Sequence, residues 1–216
     1  MNRKVSIIDY GVGNILSVKR AFEFCGAQVE LVNTPEKIIK SDILVLPGVG
    51  AFKNAMDELI KRNLKDSIIE FSTTNKPMLG ICLGMQLLLE KSEEFGNTEG
   101  LGIIKGEVVK IEDTTINGNY QKIPHVGWNE LEIPDDMDNN LWNNTIFNGI
   151  DERKSVYFVH SFTAKPTNSG NRLADSYYGG RTISAAIKKG NVYGCQFHPE
   201  KSGEIGLQII RNILEI

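Results

Sequence analysis

The sequence is poor in the residues that announce a disulfide framework, a metal site or a membrane span. Its three cysteines, Cys25, Cys82 and Cys195, are an odd count with no Cys-x-x-Cys or zinc-type spacing, which argues against a disulfide scaffold and a structural metal. No apolar stretch approaches the roughly 18 residues of a membrane span, and the N-terminal segment meets Asp9 before a signal-peptide apolar region can develop. No lysine and arginine run stands out and the formal net charge is only −3, so neither nucleic acid nor a membrane surface is indicated as a partner. The expectation is a cytoplasmic protein that handles small molecules or another protein. Histidine is as scarce as cysteine, with three in the chain, so a general base has few candidates.

What is present is ordinary for a globular protein. With 41% hydrophobic and 24% charged residues in 216, the chain can bury one sizeable core, and a single domain over 1–216 is the default. "KVSIIDY", "AQVELV", "DILVLPG" and "KPMLGIC" are short apolar, largely β-branched runs. Between and after them come segments with three-four apolar spacing: residues 15–25, 52–71 and "GMQLLLEKSEEF". Such alternation predicts an α/β fold, a mostly parallel sheet with helices on both faces. In the later half, "KSVYFVHSF", "RTISAAIKKG" and "NVYGCQFHPE" follow one another as strands, which predicts a mixed or antiparallel extension. Residues 134–145, rich in turn formers, read as a loop, and "SGEIGLQIIRNILEI" reads as a closing helix capped by Ser202.

"DYGVGNIL" offers Gly11 and Gly13 as a Gly-x-Gly, but Leu16 stands where a dinucleotide fingerprint needs its third glycine. A tight turn with Asn14 as helix cap is the better reading. Cys82 carries a sharper signal. It sits between Gly80 and Gly84 where a buried strand becomes a helix, and glycine freedom there would allow a sharp turn with the thiol at its apex. At a helix N-terminus the thiolate is favoured and nearby N–H groups can receive a developing oxyanion. Cys25, in a helix, and Cys195, in a strand, read as small buried hydrophobes. A thiolate nucleophile needs a base, and His198 has Glu200 two residues on. In extended backbone those side chains share a face, so the carboxylate can orient the imidazole. Cys82, His198 and Glu200 thus form a candidate triad, while His125 and His160 lack a nearby acid in sequence.

"GICLGMQ" together with "FHPEKSGE" resembles the class I glutamine amidotransferases, in which a cysteine, histidine and glutamate release ammonia from glutamine. The full run of "IDYGVGN", "LPGVGAF", "GICLGMQLL", "IPHVGWN", "YFVHS" and "QFHPEKSGEIGL" is similar, within that class, to glutaminase subunits of histidine biosynthesis. The resemblance implies a flavodoxin-like amidotransferase fold, L-glutamine as substrate and no metal or organic cofactor. It also implies a (β/α)₈-barrel cyclase subunit as partner, through which ammonia passes to a nucleotide-like acceptor. Position by position, it implies an oxyanion role for Gly48, Val49, Gly50 and the elbow residue Leu83. Glutamine binding is implied for Gln86, His160, Ser161 and Phe162. Contact with the partner is implied for Asn14, Pro124, His125, Trp128, Asn129 and Lys201. A paralogous subunit that feeds ammonia to a sugar-modifying barrel would carry the same triad. A stand-alone cysteine hydrolase or an inactive binding module on this fold are the readings outside the class, and an intact triad weighs against the inactive module.

Overall fold

In the computed structural model, residues 3–216 are described. The first half alternates strand and helix: β1 (Lys4–Ile8), α1 (Ile15–Phe24), β2 (Gln28–Val32), α2 (Pro35–Ile39), β3 (Ile43–Gly48), α3 (Phe52–Lys61), α4 (Lys65–Ser72), β4 (Met78–Cys82) and α5 (Leu83–Leu87). The second half is strand-rich: β5 (Lys91–Ser92), β6 (Thr98–Glu99), β7 (Gly106–Lys110), β8 (His125–Glu130), β9 (Ser155–His160), β10 (Phe162–Pro166), β11 (Arg172–Tyr178), β12 (Arg181–Lys189) and β13 (Val192–Cys195), before α6 (Gly203–Glu215). A seven-stranded sheet runs β11-β12-β13-β4-β3-β1-β2. Its β13, β4, β3, β1 and β2 pair in parallel, while β11-β12-β13 is the antiparallel extension.

The near-continuous apolar strands are buried on both faces because side chains alternate along them. Ile43 and Val45 of β3 enter a core with Phe22 of α1 and Ile209 and Ile213 of α6. Leu44 and Leu46 enter the opposite core with Phe52 and Leu59 of α3 and Ile68 of α4. Each such side chain contributes about 1.5–3 kcal/mol on burial, so the centre of the sheet is a rigid platform. Among the described residues, no helix is long and apolar enough to cross a membrane.

Three local expectations are corrected. The segment after Cys82 is helical only to Leu87. Leu87, Leu88 and Leu89 are all fully buried, and the next residues are drawn into β5 by pairing with β6 and β7. Ser202 stands at the start of α6 but does not cap it with its side chain. Its hydroxyl instead donates to the His198 carbonyl and accepts from the Tyr157 amide. Asn14 likewise precedes α1 without a side-chain capping bond. Residues 134–145 are turns, as expected of a loop, pinned by buried Trp142, whose indole N–H donates to the Leu173 carbonyl at 2.7 Å.

Candidate active site

β4 passes directly into α5, and Cys82 is the hinge, with φ 54° and ψ −111°. A non-glycine residue there stores roughly 1–3 kcal/mol of strain. The neighbouring glycines do not supply the unusual torsion, since neither Gly80 nor Gly84 has positive φ. They supply room. A Cβ on Gly84 would lie 1.9 Å from the Leu46 carbonyl oxygen, and one on Gly80 would lie 2.7 Å from the Gly84 carbonyl oxygen. Gly48 belongs to the same crowded point, its absent Cβ 2.9 Å from the Gly84 nitrogen. Three backbones therefore meet where a side chain cannot fit, and this forces the cysteine to the apex.

His198 follows β13, parallel to β4, which carries it to the same end of the sheet as Cys82. The backbone after it is a 3-10 turn, Pro199–Lys201, rather than extended strand. The Glu200 carboxylate nevertheless accepts from His198 Nδ1 at 2.8 Å, both side chains being almost wholly buried. Burial alone would lower the His198 pKa. Hydrogen bonds to the Cys82 sulfur and the Glu200 carboxylate, reinforced by their charges, outweigh it and push the pKa up to about 9. The other thiols have no such company: burial raises the pKa of both Cys195 and Cys25.

A cavity of about 430 Å³ opens over this group, lined by Val49, Gly50, Cys82, Leu83, Gln86, Glu94, Pro124, Val159, His160, Ser161, Phe162, His198 and Lys201. It thus gathers the candidate nucleophile and base, Val49 and Gly50 of the candidate oxyanion segment and the four candidate glutamine-binding residues. Gln86 is buried, and its amide donates to the Phe162 carbonyl and to Gln196 Oε1, each at 3.0 Å. Gly48 closes β3 opposite Cys82. Val49 is 41% exposed, and Gly50 has φ 88° with open space around it, so the segment leaves the rigid sheet at this point. Its start is braced by Tyr10, whose hydroxyl donates to the Pro47 carbonyl at 2.8 Å. The glycines of "DYGVG" are used by a tight turn, with φ 85° at Gly11 and 127° at Gly13.

Sequence reasoning missed two residues. Gln196, fully buried, reaches Cys82 Sγ with Nε2 at 3.8 Å. A polar residue two positions before His198 in a buried strand end was the available signal. Glu94 puts a carboxylate in the cavity wall and accepts from the Phe52 amide at 2.6 Å, and nothing local distinguishes it from a solvated acid.

The candidate partner face divides. Trp128 is 56% exposed and Val126 beside it 53%, and Lys201 stands over the Tyr157 ring that also faces Trp128. Pro124 and Lys201 reach both this face and the cavity mouth. Asn14 is partly exposed near the start of α1, and Asn129 is half-buried. His125 is the correction: it is 1% exposed, because its ring is stacked between Phe158 and Tyr178, and it cannot meet a partner directly.

A strained cysteine at a strand-to-helix turn thus stands in one cavity with a buried histidine held by a glutamate, the set of groups a cysteine hydrolase needs. Residues 6–216 match the family model described as glutamine amidotransferase class-I, and the chain belongs to that family. It is 56% identical, over 98% of its length and 99% of the relative's, to imidazole glycerol phosphate synthase subunit HisH 1 of Legionella pneumophila strain Lens. To the HisH subunit of Syntrophotalea carbinolica it is 43% identical, over 96% and 98% of the two chains. The solved PurLQS of Thermotoga maritima superposes with TM-score 0.74 at 18% identity, covering 100% of this chain and 99% of that one, a likeness of fold.

Proposed function

We propose that this chain is the glutaminase subunit of an imidazole glycerol phosphate synthase, and that Cys82, His198 and Glu200 are its catalytic triad. The observation that carries the reading is the strained Cys82 elbow beside a histidine held by a buried carboxylate. Cys82 attacks the carboxamide carbon of L-glutamine, and the resulting oxyanion is received by N–H groups of the elbow at Leu83 and of the Val49–Gly50 segment. His198, whose affinity for a proton is raised, gives that proton to the amide nitrogen as the C–N bond breaks, so that neutral ammonia leaves and a thioester remains on Cys82. It then activates the water that cleaves the thioester to free glutamate. Glu200 holds the imidazole in orientation through Nδ1. Gln86, His160, Ser161 and Phe162 form the wall that holds the amino-acid end of glutamine, and the Glu94 carboxylate complements its ammonium.

Ammonia is protonated and unreactive in water at neutral pH, so its release is useful only where it passes directly to an acceptor. A (β/α)₈-barrel cyclase docked on the Trp128 and Lys201 face would cover the cavity mouth that Pro124 and Lys201 border. The exposed Val49–Gly50 segment, with open space around Gly50, is suited to supply its oxyanion donor only in that complex, which is allosteric coupling between two sites. Losing one such donor costs about 10²- to 10³-fold in rate.

The test is glutamate release by the isolated chain, by the complex, and by the complex with acceptor ligand. The isolated chain should be slow and the liganded complex fast. Cys82→Ala should abolish glutamate release while synthesis from added ammonia survives in the complex. Glutamate release by that variant would exclude Cys82 as nucleophile, and full activity in the isolated chain would favour a stand-alone hydrolase.

A further inference from the structure

Behind the cavity wall lies a row of polar contacts outside the proposed reaction path. His160 Nδ1 is 2.8 Å from the Phe162 carbonyl oxygen, and His160 Nε2 is 3.0 Å from His125 Nδ1. His125 Nε2 is in turn 2.8 Å from Asn129 Oδ1, while the Asn129 amide nitrogen donates to the Tyr177 carbonyl. Both ends of the row are therefore acceptors. Three contacts each need an N–H, and two neutral imidazoles carry only two between them.

A third proton would make the pair a buried cation. Burial lowers the pKa of both rings, that of His160 to about 3, with the charges of His125 and His198 adding to the effect on His160. The pair is accordingly neutral, and the single proton of His125 serves either His160 or Asn129. The choice matters at the cavity, because the Phe162 carbonyl at the His160 end also accepts from Gln86.

We propose that His125 is a positioning residue for the glutaminase reaction. Its Nδ1–H donates to His160 Nε2, which commits His160 to its own Nδ1–H and so fixes the Phe162 carbonyl that orients Gln86. The ring is suited to this: it is fully enclosed, with stacked neighbours at 5.0 Å (Phe158) and 4.1 Å (Tyr178) that hold its plane. Asn129 competes for the same proton from the β8 strand that carries Trp128, so the row also joins the cavity to the partner face. This inference rests on the reading of the cavity as the glutamine site.

Two substitutions separate positioning from packing. His125→Phe keeps a stacked aromatic ring and removes both nitrogens, whereas His125→Asn gives up the stacking and retains an amide N–H at the distance of Nδ1 from the chain, toward His160. Assayed in the complex with the barrel subunit, His125→Phe should raise KM for glutamine about tenfold, the scale of one lost hydrogen bond, with kcat within about twofold. His125→Asn should return KM to within about threefold of wild type. A packing role predicts the reverse order, and that order, or an unchanged KM in both variants, overturns the proposal. Spectra of the wild-type chain with ¹⁵N-labelled histidine should show both rings as neutral Nδ1–H tautomers. An Nε2–H tautomer or an imidazolium at His125 overturns it equally, and this reading stands even if His125→Phe fails to fold. Absence of glutaminase activity in the wild-type complex would instead sink the assignment of the cavity, a result distinct from the order of the two variants.

Discussion

Replacing Gly84 by alanine tests whether the elbow is shaped by backbone contact rather than by glycine's torsional freedom. The new Cβ would lie 1.9 Å from the Leu46 carbonyl oxygen and 2.9 Å from its carbon, where contacts under 3.0 Å are essentially never seen. The start of α5 and the centre of β3 must then part by about 1.1 Å. Leu46 belongs to a strand paired on both sides, and the clashing atom is main chain, so no rotamer change relieves it. Overpacking of this kind costs about 1–3 kcal/mol, and each kcal/mol lowers Tm by about 2–4 °C in a chain of this size. The expected fall is therefore about 2–12 °C. Because Cys82 is two residues away, the displacement also reaches the sulfur, and a misplacement near 1 Å can cost about 10²-fold in rate. The assays are a thermal melt and glutamate release by the complex, with ammonia-driven synthesis as a control for the partner. Gly26→Ala is the contrast, since Gly26 has φ 87° but open space around it. That substitution should cost only about 1 kcal/mol of backbone strain. Wild-type Tm and kcat in Gly84→Ala would refute the argument.

Glu200→Gln removes the carboxylate that, with the Cys82 sulfur, raises the His198 pKa against burial. A charged hydrogen bond is worth about 1.5–3 kcal/mol, or about 1–2 pKa units. His198 should therefore titrate below the value of about 9 to which the intact pair raises it. The alkaline limb of the glutaminase pH profile should move down with it, and an NMR titration showing no change would deny Glu200 this role. Trp128→Ala should leave the melt almost unaltered, as the ring is mostly exposed. It should weaken the complex about 30-fold, corresponding to about 2 kcal/mol for an aromatic anchor. Unchanged affinity by titration calorimetry would move the partner contact elsewhere.

The sequence by itself determined what depends on local pattern and residue chemistry. The near-continuous apolar run of "DILVLPG" demanded a strand buried on both faces, and Ile209 and Ile213 demanded a helix laid on that sheet, because burial follows the apolar pattern wherever the strand is central. The family was also legible, since "GICLGMQ" and "FHPEKSGE" resemble the class I glutamine amidotransferases to which the chain belongs. Tertiary structure decided everything that rests on contacts between distant segments. Gly84 is small because Leu46 lies against it, 38 positions earlier in a different strand, a fact no torsional argument about glycine could supply. Ser202 was drawn from capping by the Tyr157 amide, and α5 ended early because β6 and β7 recruit the residues beyond it. Gln196 and Glu94 entered the site through Cys82 and Phe52, partners 114 and 42 positions away. His125 left the surface because Phe158 and Tyr178 close over it. A side chain's type is written in the chain, but the sheet's strand order decides which polar group it meets, and that meeting sets its proton and its direction.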